Sequence, residues 1–435
     1  MRARFQRGVW TLHSFRLLIS ASMISIFGSL ITSTAFPFIA IQQLDAGPKE
    51  LALLSLAGIV PSVVLGSIAG IWIDRMSRRM VMIASDLISA GALLTIPVAY
   101  WLDALTLAHL IAVAFATSVA RLCFRIADRS FLPQVVGREH VEEANATLSG
   151  GSAISEAGGF SVGGLLVQLL TGPVALLFDS VSFVISAFLL RKIPDQPAPV
   201  DQEQPVETHH WKAELIDGLQ YLRRSVVLSP LAISIFMMSI GIETIGTVYF
   251  LFVNKELGFS AGALGFIFAT GGIGSLIGAA MSTRITARFG AGPALIGSLV
   301  ILALGQGSIV LATSVSLFAV IVMLGQQMTD AFWLYYESTS MSLRQLNAPE
   351  SMLGRINGAF ESIEFIGLLI GAGVGALLGE TVGLRPTLIT GAALLALSSL
   401  PLLLSPVRET RALVADDAGI APMGIEIPVS ATEVG

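Results

Sequence analysis

The sequence predicts an all-α membrane protein with twelve transmembrane helices in two pseudo-symmetric six-helix bundles. Three observations support this fold class. Of the 435 residues, 54% are hydrophobic and 13% are charged, whereas about a quarter of an ordinary soluble domain is charged. The chain also divides into twelve apolar stretches long enough to cross a bilayer. Finally, its two halves share small-residue motifs at a nearly constant offset.

A helix needs about 20 predominantly apolar residues to cross a hydrocarbon core of about 30 Å. We number the predicted stretches, which are separated by polar, proline or glycine residues, as spans 1 to 12. Span 1 is longer than the apolar core of a signal peptide, so we expect it to be retained. The predicted spans are 15–41, 51–73, 80–102, 106–128, 144–170, 172–191, 228–254, 262–284, 292–312, 316–341, 357–379 and 384–405.

The positively charged residues indicate the orientation. With both termini inside, 22 of the 25 Lys and Arg residues lie in or beside inner loops. Only Lys49, Lys255 and Arg385 are left for the outer side. Because Lys and Arg concentrate on the cytoplasmic side, we expect a multi-pass protein of the cell (inner) membrane with both termini in the cytoplasm.

The longest polar stretch lies between spans 6 and 7 and divides the chain. It predicts an N-terminal six-helix bundle over 1–190, a cytoplasmic linker over 191–227 and a C-terminal six-helix bundle over 228–407. The polar, small-residue-rich end, 408–435, is expected to be a disordered cytoplasmic tail.

The two halves also resemble each other in sequence. The motif GSIAG at 66–70 recurs 208 positions later as GSLIG, and GGLL at 163–166 recurs 212 positions later as GALL. Each pair lies on equivalent spans. Parallel internal repeats of this kind are typical of transporters.

The loop between spans 2 and 3 has a glycine at a helix end, followed by an acidic residue and a basic cluster. This pattern resembles the signature G-x-L-a-D-r-x-G-r-k of the major facilitator superfamily, from which Trp72, Ile73 and Ser77 depart. The resemblance implies a conformational switch in which the acid faces a neighbouring helix end. Alternatively, the arginines only fix topology. The switch candidates are Gly70, Asp74, Arg75, Arg78 and Arg79.

The resemblance extends over all twelve spans. The segments 132–136, 142–146 and 354–360 look like the drug-efflux branch, which includes macrolide pumps and siderophore exporters. This resemblance implies a secondary transporter that exports drugs or natural products, with a role in antibiotic resistance. Its two bundles would rock about a central cavity, and proton antiport would drive export.

Span 5 contains the stretch SEAGGFSVGG over 155–164. It is similar to the antiporter motif G-x-x-x-G-P-x-x-G-G, with Phe160 in place of the proline. Gly159, Gly163 and Gly164 would let two helix backbones approach closely. The alternative is tight packing with no role in the direction of transport.

Carboxylates at membrane depth are candidates for proton or substrate binding, because a charge there is costly unless it is paired or faces water. Glu156 and Glu243 lie deepest in their predicted spans. Asp330 and Glu337 lie among the aromatic residues of span 10, a combination that suits amphipathic cations. Structural hydrogen bonds and ordinary helix packing are the alternatives.

A second charged group is predicted near the inner ends of spans 3, 4 and 11. The span 4 residues recur at intervals of four and three and therefore share one helix face. We expect the group to form an inner gate network, or else a set of interfacial side chains that reach water. The span 11 acids are expected to pair with Arg355 or with the span 4 arginines. The group is Asp86, Arg121, Arg125, Asp128, Glu361 and Glu364.

Several functions lack support in the sequence. None of the four lysines belongs to a phosphate-binding loop, so we expect no ATP as driver, and we expect no cofactor, metal or nucleic acid. The expected partners of a monomer are a small amphipathic substrate, protons and lipid. Many members of the branch carry an acid after a glycine in span 1, whereas Ser29 follows Gly28 here. A facilitator or importer without proton coupling, a membrane-embedded lipid-modifying enzyme and a non-transporting receptor are the alternatives.

Overall fold

The computed structural model describes residues 8–74, 76–194, 211–349 and 352–411. Within these ranges all regular structure is helical. In the part of the chain that the structure describes, twelve helices are long and apolar enough to cross a membrane. This finding confirms the predicted fold class and the number of spans.

The first six spans are continuous helices. Proline residues lie inside four of them, and the helices continue through these positions. The bounds are His13–Gln43 for span 1, Pro48–Asp74 for span 2, Arg78–Trp101 for span 3, Leu107–Val136 for span 4, Val141–Leu170 for span 5 and Gly172–Arg191 for span 6.

The last six spans are less regular. Span 7 ends in a π-helical turn, span 10 is interrupted at Thr329, and span 12 ends in a short separate turn. The bounds are Leu228–Leu251 for span 7, Ala261–Phe289 for span 8, Ala291–Ser308 for span 9, Leu317–Met328 and Asp330–Asn347 for span 10, Leu353–Thr381 for span 11, and Leu384–Leu397 with Leu400–Leu403 for span 12.

The packing of the spans follows the internal repeat. In the first half, span 1 packs against spans 5 and 6, span 3 against spans 4 and 6, and span 2 against span 4. Each pair recurs in the second half with the span number raised by six. The halves meet along two seams, one between spans 5 and 8 and the other between spans 2 and 11. The two seams are equivalent, because a shift of six spans converts one pair into the other. The two bundles are therefore pseudo-symmetric.

The molecule has two ends, which we name by what they carry. The linker side carries the start of span 1, the described ends of the linker and residue 411. The backbone nitrogen of Val9 donates to Glu143 at the start of span 5 (3.4 Å), and the carbonyl of Arg411 accepts from Ala291 at the start of span 9 (3.3 Å). The loop side is the opposite end, with the turns that follow the odd-numbered spans.

The two halves are joined on the loop side and separate on the linker side. The largest apolar cluster contains residues of both halves, among them Phe38 and Phe252. Two smaller clusters lie toward the linker side and each belongs to one half, such as those around Phe131 and Phe360. The structure is therefore open at the linker side.

Backbone contact between two glycines closes the span 5–span 8 seam. A Cβ atom on Gly164 would lie 2.4 Å from the carbonyl oxygen of Ala261 and 2.9 Å from the Cα of Gly265. A Cβ atom on Gly265 would lie 2.4 Å from the carbonyl oxygen of Phe160. Because backbone atoms cannot move aside, only glycine fits at these two positions.

Polar contacts close the same end. The side-chain oxygen of Gln168 accepts hydrogen bonds from the Ser260 hydroxyl (2.9 Å) and the Gly262 backbone nitrogen (3.0 Å), at the start of span 8. An exposed ion pair joins Asp45 of the first half to Lys255 of the second at 2.8 Å. The hydrogen bond and the charge of Lys255 lower the pKa of Asp45.

The polar linker contains a helix that we did not predict, Trp211–Arg224, here called the linker helix. Gly218 packs on the carbonyl of Arg355 in span 11, Leu222 is buried, and the Tyr221 hydroxyl donates to the carbonyl of Asn347 at 3.1 Å. The stretch is too polar to appear in a search for membrane spans. Its buried residues are nonetheless spaced as on one helix face, a pattern that could have revealed it.

Arg385, at the start of span 12, connects this span to the loop-side ends of spans 7 and 9. Its guanidinium donates to the backbone carbonyls of Val310 (2.6 Å) and Ala312 (2.7 Å) and to the carboxylate of Glu256 (3.2 Å). It also lies over the Phe252 ring at 4.9 Å. The planar guanidinium can make all of these contacts at once, and this explains why an arginine is present on the side of the molecule that has few positive charges.

We expect Arg385→Ala to lower the free energy of unfolding by about 1–3 kcal/mol, because hydrogen bonds to charged groups contribute about this much. Arg385→Lys should restore only part of it, since an ammonium cannot reproduce the fork. The measurement is the thermal unfolding midpoint in detergent, with exposed Arg284→Ala as the control. Equal midpoints for the alanine variants would contradict this role.

Candidate functional site

A cavity of about 1630 Å³ lies between the two halves. Spans 1, 2 and 4 line it from the first half, and spans 7 and 11 line it from the second. It reaches the linker side, where Leu215 of the linker helix and Gly354 border it. Phe36, Phe250 and Phe365 give it apolar surface, so it suits a molecule that is partly apolar.

One wall of the cavity carries three arginines of span 4, Arg121, Arg125 and Arg129, which we call the arginine wall. Their spacing of four residues places them on one face of the helix. Arg121 lies midway along the span, and Arg129 lies closer to the linker side. The Arg125 guanidinium is 3.4 Å from the Ser62 hydroxyl of span 2, to which it donates. The side chains are accessible from the cavity.

The opposite wall carries three carboxylates of the second half, Glu243, Glu361 and Glu364, which we call the glutamate wall. Arg355 also borders the cavity, but it forms an ion pair with Asp217 of the linker helix at 3.2 Å. The cavity therefore has positive charge on one side and negative charge on the other.

Glu243 lies where spans 2, 7 and 11 meet. Its Oε1 accepts a hydrogen bond of 2.6 Å from the Ser55 hydroxyl of span 2, which belongs to the other half. Only 9% of Glu243 is exposed, and its Cβ lies 2.9 Å from the position a Cβ on Gly371 would take. Glu243 thus combines access to the cavity with a bond between the halves.

Glu156 lies together with Asp330 in a smaller cavity of about 350 Å³, here called the side cavity. Ser33 and Phe250 border both cavities, so the two adjoin. Asp330 packs against span 8, where a Cβ on Gly271 would lie 2.5 Å from its Oδ2. The structure thus brings two of the predicted carboxylates together and keeps them apart from Glu243.

The sequence reasoning missed Asp179 of span 6, which is completely buried. Its carboxylate accepts hydrogen bonds from the hydroxyls of Thr32 and Ser182. It packs on Gly28 of span 1, where a Cβ would lie 2.3 Å from its Oδ1. The charge of Arg121 also acts on it. A lone acid inside an apolar span was the signal that could have identified it.

The predicted inner gate network is not a single group. Asp86 is buried, lies close to Ser186 and Asp179 between spans 3 and 6, and does not border the cavity. Asp128 faces Arg129 from the side of span 4 turned away from the cavity. Our prediction that Asp86 meets the span 4 arginines is therefore not supported, because the rotation of span 3 turns it toward span 6.

The two tyrosines of span 10 follow the alternative of ordinary helix packing. The tyrosines at 335 and 336 are buried, and their hydroxyls contact Thr286 of span 8 (2.8 Å) and Ser234 of span 7 (3.1 Å). They hold helices together and do not line the cavity. The charge of Arg344 faces Glu337, Glu361 and Glu364. It takes the place that we had expected Arg355 to fill.

The candidate switch residues lie partly outside the described residues, namely Arg75 and the side chains of Gly70 and Asp74. Arg79 donates to the carbonyl oxygens of Ile193 (2.5 Å) and Arg191 (3.4 Å), at the end of span 6. Cations at a helix C-terminus are favourable. This contact stays within the first half. Arg78 is half-buried beside it.

The small residues of span 5 serve two neighbours. Gly159 and Gly163 pack on span 1, where added Cβ atoms would meet Leu30 at 2.8 Å and the backbone of Ile31 at 3.0 Å. Gly164 packs on span 8 of the other half, as described above. The motif therefore joins tight packing within one half to the seam between the halves.

Comparison with known proteins gives consistent results. The family model described as Major Facilitator Superfamily matches residues 18–372. The chain is 25% identical to an uncharacterized MFS-type transporter, YfiS of Bacillus subtilis (strain 168), over 418 residues, which covers 94% of this chain and 95% of the relative. It is also 25% identical to the multidrug efflux pump Tap of Mycolicibacterium fortuitum, covering 89% and 93%.

Solved structures share the fold. A bacterial homologue of the iron transporter ferroportin, in an inward-facing state, matches with a TM-score of 0.70 and 19% identity over 91% of this chain and 98% of that one. The nucleoside transporter NupG matches with a TM-score of 0.72 and 13% identity over 90% and 98%. At these identities the likeness concerns the fold alone.

Proposed function

Because this chain belongs to the major facilitator superfamily, and is thus a multi-pass membrane transporter rather than an enzyme, we propose that it exports small amphipathic compounds in exchange for protons. The observation that carries the proposal is the cavity between the halves, which combines aromatic surface with Glu243. The relative Tap is a multidrug efflux pump, and this supports export.

The linker side is the cytoplasmic side in this proposal, because the Lys and Arg residues concentrate there. The protein resides in the cell (inner) membrane, and the structure corresponds to the inward-open state of alternating access. Compounds enter the cavity from the cytoplasm or the inner leaflet. Separation of the loop-side seams, with closure of the linker side, then exposes them outward.

Proton coupling is assigned to Glu243, which binds either a proton or the cationic group of a substrate. The carboxylate is nearly buried, so its charged form is costly unless a partner compensates it. A bound cation therefore displaces the proton, and this exclusion makes the exchange obligatory. Glu156 and Asp330 in the side cavity are a second place for protons to bind. Gly70, Asp74, Arg75, Arg78 and Arg79 are assigned to the switch between states.

The test is efflux of rhodamine 6G, an amphipathic cation, from cells that express the chain. We expect faster efflux than in cells with empty vector, and we expect a proton uncoupler to abolish the difference. Inverted membrane vesicles should take up the dye when their interior is more acidic than the medium, because protons then leave in exchange for dye. Uncoupler-insensitive flux would identify a facilitator, and accumulation in intact cells would identify an importer. Either result would contradict proton-driven export.

A further inference from the structure

The opposite charges of the two cavity walls bear on the chemistry of the substrate. Arg121, Arg125 and Arg129 come from the first half, and the glutamate wall comes from the second. Charges at membrane depth persist where they face water or opposite charge. Because the walls stand apart in the open cavity, each is available to a bound molecule.

Neighbouring groups compensate each wall only in part. Asp179 lies behind Arg121 and acts on its charge, and Asp128 does the same for Arg129. Arg125 has the Ser62 hydroxyl as its hydrogen-bond partner, a neutral group, and the positive charge of Arg129 acts on it. Arg125 is therefore the member of the arginine wall best placed to take an anionic group.

The glutamate wall has a corresponding position. Glu361 and Glu364 share Arg344, whereas Glu243 accepts a hydrogen bond from the neutral Ser55 hydroxyl. Glu243 is therefore the carboxylate of this wall that a substrate cation would meet without a competing arginine. Phe250 and Phe365 provide apolar surface in the same cavity.

We infer that the preferred substrates are amphipathic zwitterions, molecules with an acidic group for the arginine wall, a cationic nitrogen for Glu243 and an apolar body between them. This inference rests on the proposed function and narrows its substrate class. A purely cationic compound leaves the arginine wall unpaired and is repelled by it. A purely anionic compound has the same difficulty at the glutamate wall.

Three xanthene dyes test the inference by direct binding. Rhodamine 19 is the free acid of rhodamine 6G, so the two differ in one carboxylate, and fluorescein has acid groups without a cationic nitrogen. Fluorescence anisotropy on the purified protein gives each Kd. We expect rhodamine 19 to bind about fivefold more tightly than either other dye, the upper end of the gain that one accessible charge pair provides.

The variants separate recognition from other roles. Arg125→Gln should remove the preference for rhodamine 19 over rhodamine 6G, whereas Arg125→Lys should keep most of it. Arg284→Gln, an exposed arginine of span 8 that does not border the cavity, is the control and should leave both Kd values unchanged. Because all variants are measured in the same detergent, dye uptake by micelles cancels in the comparison.

Equal binding of rhodamine 19 and rhodamine 6G to the unaltered protein would overturn the inference. So would equal weakening of both dyes by Arg125→Gln, because it would show that this arginine supports the fold or a closed gate. Selective binding without efflux would contradict the proposed export and leave the inference standing. Efflux of rhodamine 6G without selective binding of rhodamine 19 would support the proposed export and overturn the inference about zwitterions.

Discussion

Replacing Glu243 with glutamine is expected to lower proton-driven export about tenfold or more, which corresponds to about 1.4 kcal/mol or more in the barrier to transport. Glutamine has nearly the same size, and its side-chain oxygen can still accept the hydrogen bond from Ser55. It cannot take up or release a proton. The measurement is uncoupler-sensitive dye efflux at matched expression.

The control for Glu243→Gln is Glu380→Gln, a change at an exposed carboxylate near the loop-side end of span 11. It should leave efflux unchanged. Exchange of labelled for unlabelled dye at saturating concentration should persist in Glu243→Gln, because exchange requires no net proton movement. Unimpaired uncoupler-sensitive efflux in this variant would contradict the assignment. A loss confined to Glu156→Gln would move the coupling site to the side cavity.

Gly265→Leu is expected to hold the loop side open and to abolish transport. The added side chain cannot fit against the Phe160 carbonyl and Gly164. Spans 5 and 8 should move apart by about 2–4 Å, toward the ordinary separation of 8–10 Å between helix axes. Spin labels on cysteines at Asp103 and Ser314, exposed loop-side positions in different halves, report this movement as a distance.

Cys123, the only native cysteine, must first be replaced so that the spin labels attach only to the introduced cysteines. Gly297→Leu is the matched control, since nothing lies within 4 Å of a Cβ added there. It should leave the label distance and the transport rate unchanged. A Gly265→Leu protein with an unaltered distance distribution would show that the seam tolerates a side chain, contrary to the backbone contact described.

The length and spacing of the apolar stretches predicted the number and order of the spans, because the bilayer imposes a fixed apolar length. The helix ends were predicted less well. Span 4 continues to Val136, eight residues beyond the predicted end. Hydropathy reports where the hydrocarbon ends, whereas a helix continues into water as long as its backbone bonds are satisfied.

The cavity was only partly predictable. Glu243 was identified from its depth, but its partner Ser55 lies 188 residues away, and helix rotation decides which side chains meet. Rotation also explains why Arg121 and Arg125 border the cavity while Asp86 does not. Asp179 could have been identified by the same argument from membrane depth, because it is an acid inside predicted span 6.

The two charged walls have a mechanical consequence for the empty protein. Because the walls belong to different halves, their attraction would favour closure of the cavity in the proposed alternating-access cycle whenever no substrate stands between them. Salt enters the open mouth and screens charges beyond about 8 Å at physiological ionic strength. In the proposed exchange a proton on Glu243 replaces the substrate's cation on the return step, so that step would depend on the ionic composition of the compartment that the cavity faces, whereas a bound zwitterion would shield both walls and make the outward step less sensitive to it.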